Sequence, residues 1–163
     1  MLLLASLPVK ATNPGLVYDT SADEYVQFLC GIGYDSTKVK IIKNSSFPSN
    51  NRFTTDQPWN LNYPSFGAHV EARKKIHLKF TRTLTNVGTM KSMYKVKITS
   101  DDRITVLVEP NVLSFKSLNE KNSFVVNFAG YGLGLDEMET ASLVWSDEDH
   151  TVRSPIVVYS QSE

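Results

Sequence analysis

The sequence carries a single cysteine, Cys30, and that scarcity removes two architectures at once. No internal disulfide can form, and a cysteine-based zinc site lacks its thiolates; His69, His77 and His150 are too scattered to replace them. Lying between Leu29 and Gly31 at the end of an apolar helical pattern, Cys30 reads as a small buried hydrophobe. Charge of one sign is not in excess either. Seventeen Lys and Arg stand against seventeen Asp and Glu, whereas a nucleic-acid binder needs a basic surplus to neutralise phosphates. The one basic cluster, Arg73-Lys74-Lys75, reads as solvated surface beside a strand, so no nucleic acid is expected as a partner. Long apolar runs are missing too. Met1 to Leu7 is apolar but short and has no basic stretch before it, so it makes neither a membrane span nor a convincing signal peptide. Its abruptness reads as a truncated start, and no membrane partner is expected.

Catalytic signatures are equally scarce. A serine hydrolase needs a nucleophile held by a base and a base held by an acid. The chain has no Gly-x-Ser-x-Gly elbow and no other glycine-framed serine. His150 follows Asp147 and Asp149, but that spacing fits a hairpin between Trp145 and Val152 with its acids exposed at the tip. Glu137 and Glu139 fall with Asp136 in a polar linker that implies no cleft. Gly130-Tyr131-Gly132-Leu133-Gly134 lacks a following lysine or helix signal, which makes it a flexible loop rather than a phosphate cradle. No catalytic residue, cofactor or metal ligand is therefore assigned.

What is present is a core-forming pattern. Hydrophobic residues make up 41% of 163 positions, enough for one domain with a short attached piece. Ser21 and Glu24 form a capping box, after which Tyr25, Phe28, Leu29 and Ile32 share a helical face and Gly31 and Gly33 supply the stop. A second, weaker helix begins at Asp35 or Ser36, with Val39 and Ile42 on its buried side. Lys43 to Asn62 is a polar loop of a length that usually lies against something else.

From there the period changes to two. Ile76, Leu78, Phe80 and Leu84 alternate with His77, Lys79, Thr81 and Thr83. Tyr94, Val96 and Ile98 repeat the pattern, followed by Ile104, Val106 and Val108, then Leu113 and Phe115. Phe124, Val126 and Phe128 come next, then Ala141, Leu143 and Trp145, and finally Val152, Ile156 and Val158. Such alternation means strands with one face buried. Turn residues separate them at Asn86-Val87-Gly88, Ser100-Asp101-Asp102, Pro110-Asn111, Asn119-Glu120-Lys121 and Asp147-Glu148-Asp149. About seven short strands without intervening helices predict an all-β fold, an immunoglobulin-like or fibronectin type III-like β-sandwich preceded by a short helical segment. Trp145 belongs in its core. Arg82 interrupts the apolar face of its strand, so it either reaches an edge or pairs with an acid. Asn44-Ser45-Ser46 is an N-glycosylation sequon, meaningful if the chain is secreted.

Six motifs, in order, resemble those of the plant subtilases, the cucumisin-like family of subtilisin-like serine proteases. They are Pro8 to Asp19, Glu24 to Tyr34, Asn60-Leu61-Asn62-Tyr63-Pro64-Ser65, Arg82-Thr83-Leu84-Thr85-Asn86-Val87-Gly88, Val108-Glu109-Pro110, and Val152 to Val158. The resemblance implies that residues 1–62 are a remnant of the peptidase domain's C-terminal end and residues 63–163 a fibronectin type III-like domain. It also implies that the Asp/His/Ser triad and oxyanion-hole Asn of the family lie upstream of Pro8, and that the location is extracellular, in apoplast or cell wall. The family often places a second cysteine in the loop before the sandwich, whereas Phe47 to Asn62 contains none. Glu148 stands where glycine is common in the last hairpin, and Met1 to Leu7 replaces a glycine-rich run. The expected role is a non-catalytic accessory domain that packs on the peptidase domain through the Lys43–Asn62 loop. The alternative is a free-standing protein-binding module from a truncated gene. Deprived of a peptidase partner, Leu16, Val17, Tyr25, Phe28, Leu29 and Ile32 are expected to lose their normal cover, which predicts self-association through Leu16, Tyr25, Phe28 and Leu29 or poor order before Asn62.

Overall fold

The computed structural model describes residues 11–43 and 58–162. In chain order the elements are strand β1 (Leu16–Val17), helix α1 (Ala22–Gly31), helix α2 (Ser36–Lys43) and a 3-10 turn (Pro58–Asn60). Eight strands follow: β2 (Phe66–His69), β3 (Lys75–Asn86), β4 (Ser92–Ser100), β5 (Ile104–Glu109), β6 (Val112–Phe115), β7 (Lys121–Tyr131), β8 (Met138–Ser146) and β9 (Thr151–Tyr159).

The strands form two sheets, one in the order β1-β3-β7-β5 and the other β2-β9-β8-β4-β6. Every pairing is antiparallel except β2 with β9, which runs parallel with Phe66 opposite Ile156 and His69 opposite Tyr159. The expected β-sandwich is therefore present. Its described residues hold nine strands rather than about seven, because β1 and β2 are too short to show a period in sequence.

Period two does what it must between the sheets. Ile76, Phe80 and Leu84 of β3, Phe124, Val126 and Phe128 of β7, and Ile104, Val106 and Val108 of β5 line one inner face. Tyr94, Leu113, Phe115, Leu143, Trp145, Ile156 and Val158 line the other. Trp145 is fully buried, as expected. Its ring meets Phe124 edge-on at 5.2 Å, while Phe80 meets Phe66 at 5.6 Å and Phe128 at 5.3 Å in the same manner. Edge-to-face geometry brings each ring's positive rim to its neighbour's negative face, which adds to the area term.

Helix α1 starts on the expected capping box. The Ser21 amide donates to Glu24 Oε2 at 2.7 Å and the Glu24 amide donates to Ser21 Oγ at 3.3 Å. Gly33, at φ +96, terminates it. Its buried side differs from the expected one. Val26 is buried, with Leu29 and Cys30 partly covered, an i, i+3, i+4 stripe that rests on the 3-10 turn, where Gly31 approaches Pro58. Tyr25 and Ile32 are about half exposed, and Cys30 is only partly buried. Val39 of α2 is buried as expected, while the side chain of Ile42 lies outside the described residues.

Leu16 requires a larger correction. Expected at an interface with a separate domain, it is 2% exposed and belongs to the sandwich core. Strand β1 pairs with the end of β3, Leu16 opposite Asn86 and Val17 opposite Thr85, so the segment before the helices supplies a strand to the sheet. Gly130 and Tyr131 end β7 rather than forming a loop, and a Cβ at Gly130 would stand 2.6 Å from the Arg103 carbonyl oxygen. Glu139, expected in a polar linker, is a buried residue of β8 in the inward phase of Ala141, Leu143 and Trp145. Arg103 reaches over the sandwich end to pair with it and with Glu137, the latter at 2.7 Å.

Candidate functional site

Several buried polar side chains gather at a seam where three segments meet the sandwich: residues 12–20, residues 58–65 and the β8–β9 hairpin. Arg82 stands at its centre. Its place in β3 is the inward phase, so its guanidinium enters the core end and is only 3% exposed. It neither reaches an edge nor pairs with an acid, as the sequence suggested. Its Nε donates to the Tyr63 carbonyl at 2.9 Å, Nη1 to that of Thr81 at 2.9 Å, and Nη2 to that of Ser65 at 3.4 Å. The planar group lies over Phe66, 4.7 Å from the ring centroid, and beside Phe80 at 5.6 Å. Burial draws its pKa down to about 10, against a smaller opposing effect of Tyr18. Tyr18 in turn shares a 2.7 Å hydrogen bond with Ser154, which is fully buried in β9. Burial holds the Tyr18 phenol above its ordinary range, with Ser154 and Arg82 pulling the other way.

Asn62 and Asn86 stitch the same seam. The Asn62 side-chain amide accepts from the Thr83 N–H at 2.8 Å and donates to the Thr83 carbonyl at 2.9 Å, the pattern a neighbouring strand's peptide would supply. It donates also to the Asp19 carbonyl, tying residues 19, 62 and 83 together. Asn86 is fully buried, and its amide donates to the carbonyls of Thr89 and Ser117 while its oxygen accepts from Gly88.

At the far side of the seam, the hairpin between β8 and β9 is present, but His150 is buried rather than at an exposed tip. Asp147 Oδ1 accepts from the amides of Asp149 and His150 and so shapes the turn. The His150 ring places Nδ1 3.0 Å from Asp147 Oδ2, and the Tyr94 hydroxyl lies 3.5 Å from the same nitrogen. Burial pushes the Tyr94 phenol above its ordinary range, helped by the hydrogen bond to Asp147 and by the charges of Asp147 and Asp149. Burial would raise the Asp147 carboxyl, but hydrogen bonds from the His150 ring and amide, from the Asp149 amide and from Tyr94 outweigh it and leave its pKa lowered. A base held by an acid is half of a hydrolytic constellation. The other half needs a hydroxyl in reach of the base's free nitrogen, and His150 Nε2 is buried with no hydrogen-bond partner among the described residues. Gly15 closes over the ring: at φ +75, a Cβ there would stand 2.6 Å from His150 Cγ and 2.6 Å from the Tyr94 hydroxyl. The arrangement packs a turn against a strand. Among the described residues no group of His, Cys, Asp and Glu is placed to hold a metal ion, and no helix is long and apolar enough to cross a membrane.

The two-sheet sandwich is matched at the level of sequence: residues 60–158 fit the family model of the fibronectin type-III domain. The chain belongs to that family. This fibronectin type-III chain is also similar to plant subtilisin-like proteases, as its motifs suggested. It is 41% identical to subtilisin-like protease SBT4.4 of Arabidopsis thaliana over 157 residues, 95% of this chain and 21% of that protein. Identity to subtilisin-like protease SBT4.11 of the same plant is 44% over 156 residues, 94% of this chain and 21% of the relative. The chain thus spans about a fifth of the length of the curated relatives it matches. Among solved structures, PapD-like domain 7 of human CEP192 is similar at a TM-score of 0.44 and 13% identity, over 61% of this chain and 83% of that one.

Of the residues singled out in sequence, Leu16 and Trp145 lie in the sandwich core, and Phe28 and Leu29, on α1, are half-buried. Tyr25 is exposed, and Asn44 lies outside the described residues, as does most of the Lys43–Asn62 loop. Sequence reasoning missed the roles of Asn62, Asn86, Tyr18 and Ser154. Nothing in composition marks a side-chain amide whose partners are backbone groups. The parity of Ser154 with Ile156 and Val158 was the available signal for its burial.

Proposed function

We propose that this chain is the non-catalytic accessory domain of a secreted subtilisin-like serine endopeptidase, and that it stabilises the peptidase domain by packing on it. The observation that carries this reading is that β1 lies in the sandwich sheet while similarity to the proteases covers 94–95% of the chain, the residues before the sandwich included. Residues 1–62 are then the peptidase-side end and residues 63–163 the accessory sandwich, with β1 as the tether between them. The outward side chains of Tyr25 on α1 and of Ile32 at its C-cap, both about half exposed, form the contact with the peptidase domain. Leu16, being core, has no part in that contact or in self-association. The location is extracellular, and Asn44 carries an N-linked glycan there.

The test is a replacement. Deleting the matching fifth of SBT4.4 should lower the amount of active protease secreted by plant cells, and inserting this chain at the same point should restore it. Unchanged secretion and activity after the deletion would remove the accessory role and leave the free-standing binding module in its place. The isolated chain should not react with a serine-directed covalent probe, and secreted material should lose mass on treatment with a peptide-N-glycosidase.

A further inference from the structure

Strand β3 is twelve residues long, yet the strand on its outer side, β1, spans only two. The missing length is partly filled by side chains. Below the β1 pairing at Asn86 and Thr85, the Asn62 amide occupies the backbone groups of Thr83, and Asn60 Oδ1 accepts from the Thr81 N–H at 3.0 Å. Backbone groups in an antiparallel ladder point alternately to the two neighbours. Thr81 and Thr83 point away from β7, so Lys75, His77 and Lys79, of the same parity, do too. No described strand lies on that side of them. The open stretch from Lys75 to Lys79 is about 17 Å long at ~3.4 Å per residue, room for a short extended segment.

The side chains at this slot state what fits it. On the inner face Leu78 is only partly buried, and so are Ala68 of β2 and Val70 just after it, although all three pack on the core. Inward side chains of an added strand would therefore meet apolar surface. On the outer face stand Lys75, His77 and Lys79, all exposed, and neither lysine has an acidic partner among the described residues. Their partners across the ladder are Tyr131, Ala129 and Asn127, none of them acidic. A second copy of the same edge would set lysine against lysine, an arrangement that natural edges use to repel one another. We propose that the β3 edge from Lys75 to Lys79 is a strand-addition site for an extended peptide segment that alternates apolar and acidic residues, continuing the line begun by β1.

The experiment uses the full chain and two eight-residue probes, one alternating valine with glutamate and the other valine with lysine. Amide hydrogen exchange by NMR is read with and without peptide. The expected result is at least tenfold slower exchange at the amides of His77 and Lys79 with the glutamate probe, reduced by added salt, and no effect of the lysine probe. His77→Pro removes one outward N–H without touching a β7 bond, which edge positions tolerate, and should abolish the protection with the melting temperature retained. Should that variant misfold, Lys75→Glu with Lys79→Glu gives the second reading: preference should pass to the lysine probe. Equal binding of both probes overturns the proposal. So does protection at Val106 and Val108, the outward amides of the β5 edge, instead, or protection that rises with protein concentration in the absence of peptide.

Discussion

The interior of the sandwich and the seam beside it are held by different physics. Between the sheets, apolar side chains meet apolar side chains, and each buried one contributes about 1.5–3 kcal/mol whichever neighbour it touches. At the seam, Arg82, Asn62, Asn86 and Asp147 are held by hydrogen bonds to named backbone groups. There each bond adds only about 1 kcal/mol net, while an orphaned buried partner costs about 1–3 kcal/mol. The interior should forgive changes that preserve volume. The seam should not forgive changes of identity, even conservative ones.

The largest expected effect comes from the interior. Trp145→Ala should cost about 3–5 kcal/mol, a large share of the roughly 5–15 kcal/mol typical of a domain, seen as a lowered urea midpoint. A negligible shift would mean that the inner face of β8 is not packed as described. Next is Arg82→Met, which keeps the apolar stem against Phe66 and Phe80 but orphans the carbonyls of Tyr63, Thr81 and Ser65. A loss of about 1–3 kcal/mol is expected, with faster amide exchange confined to residues near 63–66. If Arg82→Met were neutral, the seam too would be held by area and the contrast would dissolve. Gly15→Ala combines a positive φ with contact against His150 and Tyr94, and should cost more than about 1 kcal/mol by thermal melting.

The smallest effect is a dependence on pH. Because the Asp147 carboxyl is lowered in the fold, its contribution is complete above the unfolded value near 4 and is lost as pH falls through the folded one. Asp147→Asn should therefore melt lower than the parent at pH 6 and show a shallower further loss below pH 4. Parallel melting curves for the two proteins across that window would show that Asp147 has no special hold on the hairpin.

Most of the interior was legible in sequence, since seven strands advertise themselves by alternation from Ile76 to Val158. Helix α1 was legible through Ser21 and Glu24, but its orientation was not: Val26, not Tyr25, is the buried residue, because a helix of ten residues carries two overlapping apolar stripes. The seam was mostly illegible. Arg82 showed by parity that it points inward, yet its partners are carbonyls of residues 17 and 19 positions away and of its own neighbour, which no side-chain pattern displays. Glu148 and Asp149 are exposed at the hairpin tip as expected, but the burial of His150 was not legible, because it is covered by Gly15, more than a hundred positions earlier. Strand β1 has two residues, too few for any period.

The parallel register of β2 on β9 has a mechanical meaning. Because the two strands run the same way, a pull that draws Phe66 and Tyr159 apart along their axis loads the paired backbone bonds together, in shear, instead of opening them one after another. Antiparallel neighbours joined by a hairpin, such as β8 and β9, unzip bond by bond from their open end toward the turn. Strands β2 and β9 thus act as a lap joint, and tension applied between Phe66 and Tyr159 would meet its strongest resistance there.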